Sequence, residues 1–503
     1  MANREKSGFN FDNTQTLHPV SSSQYSSHPE EEEIITWTDE EENALRRKLD
    51  FRIVPLITLL YLLCFIDRAN IGNARIQGLT KDLKLAGFKF NWSLTVFYIT
   101  YMCVEIPSNM LLKYVGPKFW IPFLVASFGA VSLGTAFVKS FDGLLVARAM
   151  LGLVEGGTMP GISFFLSCFY KREELLFRVG IFISGSSMAG AFGGLLATGL
   201  SKIPPWGIGV EIGTWRNIFF FEGLFTLLVA LMAPFFMPDR PENCYFLTPR
   251  ERIVAAERLA REHKGDSNEK VTLKHIRMAI FNVHTTICTL GFLSVNVSVQ
   301  SISLFMPTIL NDMGYTAIQA QLHSVPPYVT ACALSIAVAF VSDRTKRRGV
   351  YLAGFAMLSM IGFALLRSHS IKSVGVKYFA IFLVATGAFP GGPGFLSWAI
   401  NNSAGPAVRA IASAYVVSVG TIGAVVATWT YLEKDKKSGY ITGHTINLGA
   451  QICVALLAIS GILYCQRENK IREAGGRDQR LEGLSEREVV ELGYRHPEFR
   501  YIP

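Results

Sequence analysis

The chain has 503 residues, of which 50% are hydrophobic and only 17% are charged, and its mean hydropathy of +0.31 is positive. This balance excludes an ordinary water-soluble enzyme, because apolar stretches close to membrane-spanning length recur along the chain. The formal charge of +9 does not indicate nucleic-acid binding, because the lysines and arginines flank the apolar stretches instead of forming one basic patch.

Windows of about 20 residues predict twelve transmembrane helices, six on each side of a polar central segment. They cover residues 53–75, 92–113, 119–138, 142–169, 177–200, 216–237, 281–306, 326–342, 350–367, 377–398, 409–431 and 446–465. The predicted fold is therefore an all-α membrane protein with two pseudo-symmetric six-helix bundles.

This pattern divides the chain into five parts. They are an amino-terminal tail (1–50) with a short interfacial helix, a first bundle (51–237), a linker with a helix (238–280), a second bundle (281–465) and a carboxy-terminal tail (466–503). An even number of spans places both termini on one side, and the basic residues of the flanks and linker favour the cytosol. We expect a multi-pass plasma-membrane protein that acts as a monomer.

The two halves align at an offset of 230 residues, which places Pro160 on Pro390 and Gly161 on Gly391. The prolines and glycines of the segment 390–394 must break the tenth span, and irregular backbone at membrane depth is tolerated where it lines a cavity. Pro390 and Gly391 are therefore candidate gating residues. The buried charges of the first half do not recur in the second.

Two pairs of charged residues within the predicted spans of the first half are candidates for a functional site. The apolar run 53–66 has only 14 residues, about 21 Å of helix, so Asp67 and Arg68 lie within the membrane. Arg148 and Glu155 are seven residues apart and share one helical face, so both can face one cavity. A structural ion pair is the alternative, but it leaves Asp67 and Arg68 unexplained, so we favour a functional site.

The remaining intramembrane polar groups are less specific. Glu105 precedes Pro107 and can bond backbone groups freed by that proline, whereas Glu222 fits a buried neutral acid, so structural or gating roles are favoured for both. Asn296, Gln300 and Asn401 can contact a substrate or only the backbone, and the sequence leaves these alternatives open.

Several runs of residues resemble the major facilitator superfamily and, within it, the fungal anion:cation symporter family of allantoate permease-like transporters. The runs are 67–74 (DRANIGNA), 105–109 (EIPSN), 148–161 with Glu155-Gly156-Gly157, Trp215-Arg216, 221–223 (FEG) and 497–501 (PEFRY). A basic turn with Asp343 and Arg344 after the eighth span also matches. The turn after the second span, 113–118, lacks the superfamily's Asp-Arg pattern, which assigns gating on that side to Asp343 and Arg344.

The resemblance implies roles for individual residues. It implies that Asp67 and Glu155 couple transport to protons and that Arg68 and Arg148 bind an anionic substrate. Known substrates of the family are carboxylates such as allantoate, nicotinate and pantothenate.

The predicted function is secondary active transport, with a small organic anion, a proton and the lipid bilayer as partners and no cofactor. Import coupled to protons is the preferred direction. Two alternatives stay open, namely export of an acidic secondary metabolite and a nutrient sensor that does not transport. An enzyme is disfavoured because the chain shows no catalytic or metal-binding motif.

Overall fold

A computed structural model describes residues 36–207, 211–264, 272–345, 347–485, 489 and 492–503, and the first 35 residues of the predicted amino-terminal tail lie outside this range. The first half contains α1 (Asp39–Ala74), α2 (Thr80–Asp82), α3 (Lys89–Val115), α4 (Pro117–Thr135), α5 (Phe141–Glu155), α6 (Thr158–Ser167), α7 (Arg172–Leu200) and α8 (Trp215–Phe236). The linker contains α9 (Pro249–Lys264) and α10 (Leu273–Ile280). The second half contains α11 (Val283–Asp312), α12 (Ala317–Thr345), α13 (Arg348–Arg367), α14 (Val374–Ala388), α15 (Gly391–Asn401), α16 (Pro406–Ala427) and α17 (Ile441–Glu473).

Ten helical segments of the described residues are long and apolar enough to cross a membrane. Three of these segments join more than one helix: α1 with α2 through the π-helical turn Arg75–Leu79, α5 with α6, and α14 with α15. The helices α3 and α7 have 27 and 29 residues, which is also enough to span a bilayer. Together they form the twelve spans of the expected all-α membrane fold.

The first span belongs to a helix that begins well before the membrane. Thr38 and Glu41 form a capping box at its start, with both hydrogen bonds at 3.2 Å. α1 then continues for 36 residues without a break at Asp50. Leu45, Leu49 and Ile53 explain this continuity, because they repeat every four residues and are all buried on one helical face.

Spans four and ten are each divided into two helices. The tenth is interrupted at Phe389 and Pro390, close to the predicted break. The fourth is interrupted at Gly156 and Gly157, which the sequence pattern did not predict. The break in the fourth span places Glu155 at the end of α5, where its carboxylate can face the neighbouring helices.

α5 packs directly on α3 because small residues remove the space between them. A Cβ atom added to Gly152 would overlap the Phe97 carbonyl and the Thr100 hydroxyl, so the two backbones approach closely only with glycine at this position.

A Gly152→Ala variant is expected to lower the thermal midpoint of the purified protein, at a cost of about 1–3 kcal/mol, because the overlap is mainly with backbone. Gly199→Ala is the matched control, since nothing lies within 4 Å of the added Cβ atom there. Equal stability of the two variants would contradict the close packing of α3 and α5.

The two bundles touch at the end of the molecule opposite the termini. The Asn91 amide donates to the Thr428 carbonyl at 2.6 Å, and the hydroxyls of Thr95 and Thr428 are 2.8 Å apart. The rings of Trp92 and Trp429 meet edge to face at 5.4 Å. At the end that carries the termini, a cavity of about 460 Å³ lies among α7, α12, α13 and α15. The halves are therefore in contact at one end, and a cavity lies between α7 of the first bundle and the second bundle at the other.

The linker helix α9 is attached to the first bundle by ion pairs. Lys48 of α1 lies 2.8 Å from Glu251, and Arg250 lies 3.1 Å from Glu41. Glu251 also forms a capping box with Thr248 at the start of α9. Burial acts to raise the pKa of Glu251, but the Lys48 ammonium and the Thr248 donors outweigh it and hold this pKa below its ordinary value.

Acidification is expected to loosen this linker contact. Because the folded-state pKa of Glu251 is lowered, its stabilisation is present above the ordinary glutamate pKa and is lost as the pH falls through the lowered value. Limited proteolysis of the linker should therefore accelerate over that interval, with an effect below about 1 kcal/mol. Glu251→Gln keeps the cap but removes the ion pair, so it should flatten this part of the pH profile, and an unchanged profile would contradict the assignment.

Candidate functional site

A central cavity of about 100 Å³ lies between the two bundles, near the middle of the spans. Its walls are mostly aromatic and aliphatic, and among the described residues that border it only Arg68 carries a charge. The residues that line it include Tyr61, Cys64, Phe65, Arg68, Tyr98, Tyr101, Phe292, Asn296, Gln300, Phe389 and Pro393. Pro393 also borders the 460 Å³ cavity at the terminus end, so the two cavities are neighbours.

Arg68 is held by one acid and three aromatic rings. Its Nε atom donates to Glu155 Oε1 at 3.0 Å, and its Nη2 atom contacts the same oxygen. The guanidinium carbon lies 4.6 to 5.3 Å from the ring centres of Phe65, Phe97 and Tyr101. Aromatic faces favour a cation at this distance, so the guanidinium is fixed at the cavity wall.

Glu155 is almost completely buried and only partly satisfied. Its Oε1 atom also accepts from Cys64 Sγ at 2.9 Å, whereas its Oε2 atom has no hydrogen-bond partner in the described part of the chain. A buried carboxylate with an unpartnered oxygen is costly when charged. Glu155 of α5 forms its ion pair with Arg68 of α1 and not with Arg148, which also lies on α5.

Asp67 points away from the central cavity, because consecutive residues of a helix face directions about 100° apart. Its Oδ1 atom accepts from the Ser132 hydroxyl of α4, and its Oδ2 atom is unpartnered among the described residues. Arg148 is close enough to interact electrostatically with Asp67 and lies over the Phe219 ring at 5.8 Å. Arg148 does not border the central cavity, so the structure separates the two predicted substrate-binding arginines.

Glu222 belongs to the same polar layer of the first bundle. Asn70 of α1 donates to Glu222 Oε2, and Glu222 Oε1 lacks a partner within the described ranges. Asp67 and Glu222 both border a side cavity of about 230 Å³ between α1, α7 and α8. Asp67 and Asn70, the hydrogen-bond partner of Glu222, lie about one helical turn apart on α1, and both acids border the same cavity.

The predicted amide residues fall into two places. Asn296 and Gln300 border the central cavity, where Tyr98 donates to Gln300 at 2.8 Å and Asn296 donates to the Gly420 carbonyl at 3.1 Å. Asn401 lies elsewhere, near the terminus end and beside Arg348; when its amide group is turned over, its oxygen accepts from Arg348 Nη2 at 3.0 Å.

The predicted gating residues are dispersed. Glu105 is buried in α3 and has no hydrogen bond to any described residue. Pro390 borders the larger cavity at the break before α15, and Gly391 packs on Val295. Arg344 is exposed near the end of α12. Asp343 precedes it, and its side chain lies outside what the structure describes.

The sequence analysis did not identify three contributors to these sites: Tyr98, Cys64 and Ser132. The first two line the central cavity, and Ser132 bonds Asp67. Hydroxyl, thiol and tyrosine side chains are common in membrane helices, so their residue type alone gave no signal. No group of three His, Cys, Asp or Glu side chains that could hold a metal ion occurs among the described residues.

Comparisons with known proteins agree with this architecture. The chain is 33% identical over 456 residues to an uncharacterized transporter of Schizosaccharomyces pombe, covering 90% of this chain and 92% of that one. It is 30% identical over 499 residues to the high-affinity nicotinic acid transporter of Saccharomyces cerevisiae, covering 97% and 92% of the two chains.

Solved structures show the same fold. The xylose transporter XylE from E. coli, in a partially occluded inward-open conformation, superposes with a TM-score of 0.63 at 15% identity, covering 82% of this chain and 98% of that chain. The family model of the Major Facilitator Superfamily matches residues 57–428. The chain therefore belongs to the Major Facilitator Superfamily, as the sequence motifs indicated, and is a membrane transporter and not an enzyme.

Proposed function

We propose that this transporter imports a small organic anion, a carboxylate such as nicotinate, together with protons. One observation carries the proposal. Arg68 is the charged side chain that borders the aromatic central cavity, and it forms an ion pair with the buried acid Glu155. The similarity to a nicotinic acid transporter supports a carboxylate with a flat ring. We further propose that the protein works as a monomer in the plasma membrane with both termini in the cytosol.

Arg68 is the proposed anchor for the substrate carboxylate. A guanidinium presents its donors in a planar fork that fits a carboxylate with two hydrogen bonds. The aromatic walls formed by Phe65, Tyr101 and Phe292 suit an apolar or aromatic body, and the amides of Asn296 and Gln300 on the opposite side can orient a polar ring atom. A small anion would thus contact both bundles at once.

Glu155 is the proposed competitor. While it is ionised it engages Arg68, so an incoming carboxylate must displace it. Protonation of Glu155 weakens this ion pair and leaves Arg68 available, so a proton and the anion bind cooperatively. Loss of the proton on the other side of the membrane restores the ion pair and releases the anion.

Asp67 is the proposed second proton-binding group, with Arg148 as its positioning partner. Asp67 lies on the same helix as Arg68 and is buried against Ser132 of α4. A change in the charge of Asp67 alters its attraction to Arg148 and therefore the packing of α1 on α4 and α5. This route links protonation in the first bundle to the position of Arg68.

Alternating access follows from the two ends of the molecule. With cytosolic termini, the contacts of Asn91 and Thr95 with Thr428 close the extracellular side, and the 460 Å³ cavity opens toward the cytosol. We propose that the bundles rock about the central cavity and exchange this seal for one at the break before α15.

The test is uptake of labelled nicotinate, allantoate and pantothenate by cells that lack their own transporters, at acidic and neutral external pH, with and without an uncoupler. Uptake of one carboxylate that is stronger at acidic pH and abolished by the uncoupler supports the proposal. Expression at the cell surface without uptake of any member would refute import of these anions. Faster loss of a preloaded anion from the cells would support export instead.

A further inference from the structure

Another cavity, with a polar lining, lies at the terminus end of the second bundle, apart from the central cavity. It measures about 470 Å³ and lies between the start of α11, the end of α17 and the final segment of the chain. Its lining residues are Phe281, Asn282, Val283, Tyr464, Glu468, Arg472, Arg480, Leu492, Tyr494, Arg495 and Tyr501. The cavity shares none of these residues with the central cavity.

Positive charge exceeds negative charge in this cavity. Glu468 is engaged by Arg472 at 3.3 Å and by Arg477 at 2.9 Å, so its carboxylate is already compensated. Among the residues that the structure describes, Arg480 donates only to the Arg495 carbonyl, at 3.0 Å, and neither Arg480 nor Arg495 forms an ion pair. Burial lowers the pKa of Arg480, and the neighbouring arginines lower it further, whereas Glu468 acts to raise it.

Asn282 provides an independent indication of a ligand. Its Oδ1 atom caps α11 by accepting from the His284 backbone at 3.0 Å. Asn282 is only 1% exposed, and its buried Nδ2 atom has no acceptor among the described residues. A buried donor without a partner is destabilising, and an anionic oxygen in the adjacent cavity would satisfy it.

The cavity opens at an apolar surface of the kind that meets lipid. On α10 and the turn after it, Leu273, Ile276 and Phe281 are 64%, 36% and 73% exposed at helical spacing. Phe281 is both the last of this row and part of the cavity rim, next to Val283, which is 51% exposed. An amphipathic helix with such a row lies in a membrane interface. A ligand with a charged head and apolar chains therefore matches both parts of the site.

We propose that this cavity binds the anionic phosphate headgroup of a phospholipid. Arg480 and Arg495 would hold the phosphate oxygens, Asn282 Nδ2 would donate to one of them, and the acyl chains would lie along Phe281 and Val283. Arginine and amide donors match phosphate oxygens well. In the proposed orientation the site faces the cytosolic leaflet, which carries anionic lipids.

The test is the thermal midpoint of the purified full-length protein in detergent, titrated with dioctanoyl phosphatidic acid, dioctanoyl phosphatidylcholine or inorganic phosphate. Phosphatidic acid should raise the midpoint in a saturable way, and the other two should not. The double variant Arg480→Gln/Arg495→Gln should weaken the apparent affinity by about tenfold or more, because it removes the charge-assisted hydrogen bonds. Asn282→Ser, which keeps the helix cap, should weaken it by a smaller factor.

Arg467→Gln/Lys470→Gln is the matched control. Both residues are exposed on α17 and lie outside the cavity, so this variant loses the same charge and should keep the wild-type affinity. An equal loss in the two double variants would show diffuse attraction only and would overturn the site. A midpoint shift with inorganic phosphate as large as that with phosphatidic acid would replace the lipid by a soluble phosphate compound and overturn the lipid assignment.

Discussion

A Glu155→Gln variant is expected to lose proton-driven accumulation of the substrate by about tenfold or more while it still exchanges internal for external substrate. Glutamine keeps the shape of the side chain but removes the charge that engages Arg68. The variant should therefore resemble the protonated state, and uptake should no longer rise as the external pH falls. Initial uptake rates across a pH series, together with counterflow in proteoliposomes, measure both effects.

Glu105→Gln is the control for this experiment. Glu105 is also buried in the first bundle, but it makes no hydrogen bond to a described residue and lies outside the central cavity. Its variant should retain the wild-type pH profile. If Glu155→Gln keeps proton-dependent accumulation, Glu155 is not the coupling group, and Asp67 becomes the residue to test next.

The helices were predictable because bilayer thickness imposes a length and composition that a single sequence displays. The break at Pro390 was predictable for the same kind of reason, since proline removes a backbone donor. The break at Gly156 and Gly157 was not predicted, because two glycines are compatible with an unbroken helix. In the structure these two glycines pack closely on α3, since a Cβ atom added to them would meet the Tyr101 carbonyl and the Ser108 hydroxyl, and this long-range contact is not visible in the sequence.

The site was only partly predictable. Depth along a helix follows from sequence, so Asp67, Arg68, Arg148 and Glu155 were recognised as buried charges. Their pairing depends on the rotation of each helix about its axis, which packing sets and sequence spacing does not. For this reason the arrangement differs from one cavity shared by all four residues: Glu155 pairs with Arg68, and Arg148 lies near Asp67 and does not border the central cavity. The role of each residue in transport stays a proposal.

An Arg68→Lys variant is expected to raise the KM for the carboxylate by about ten- to a hundredfold, although the positive charge is kept. Lysine cannot offer two parallel donors to a carboxylate, and its ammonium fits less well among the rings of Phe65, Phe97 and Tyr101. Since the lost bonds are charge-assisted, about 1.5–3 kcal/mol of binding free energy is at stake. Uptake kinetics and substrate-dependent thermal stabilisation of the purified variant measure this change.

Arg148→Lys distinguishes direct binding from positioning. Arg148 does not border the central cavity, so its variant should keep the wild-type KM and change the pH dependence of uptake, through its partner Asp67. A rise in KM for Arg148→Lys as large as that for Arg68→Lys would show that both arginines bind the anion. In that case the central cavity must extend toward α5 when substrate enters, because Arg148 does not border the cavity in this structure.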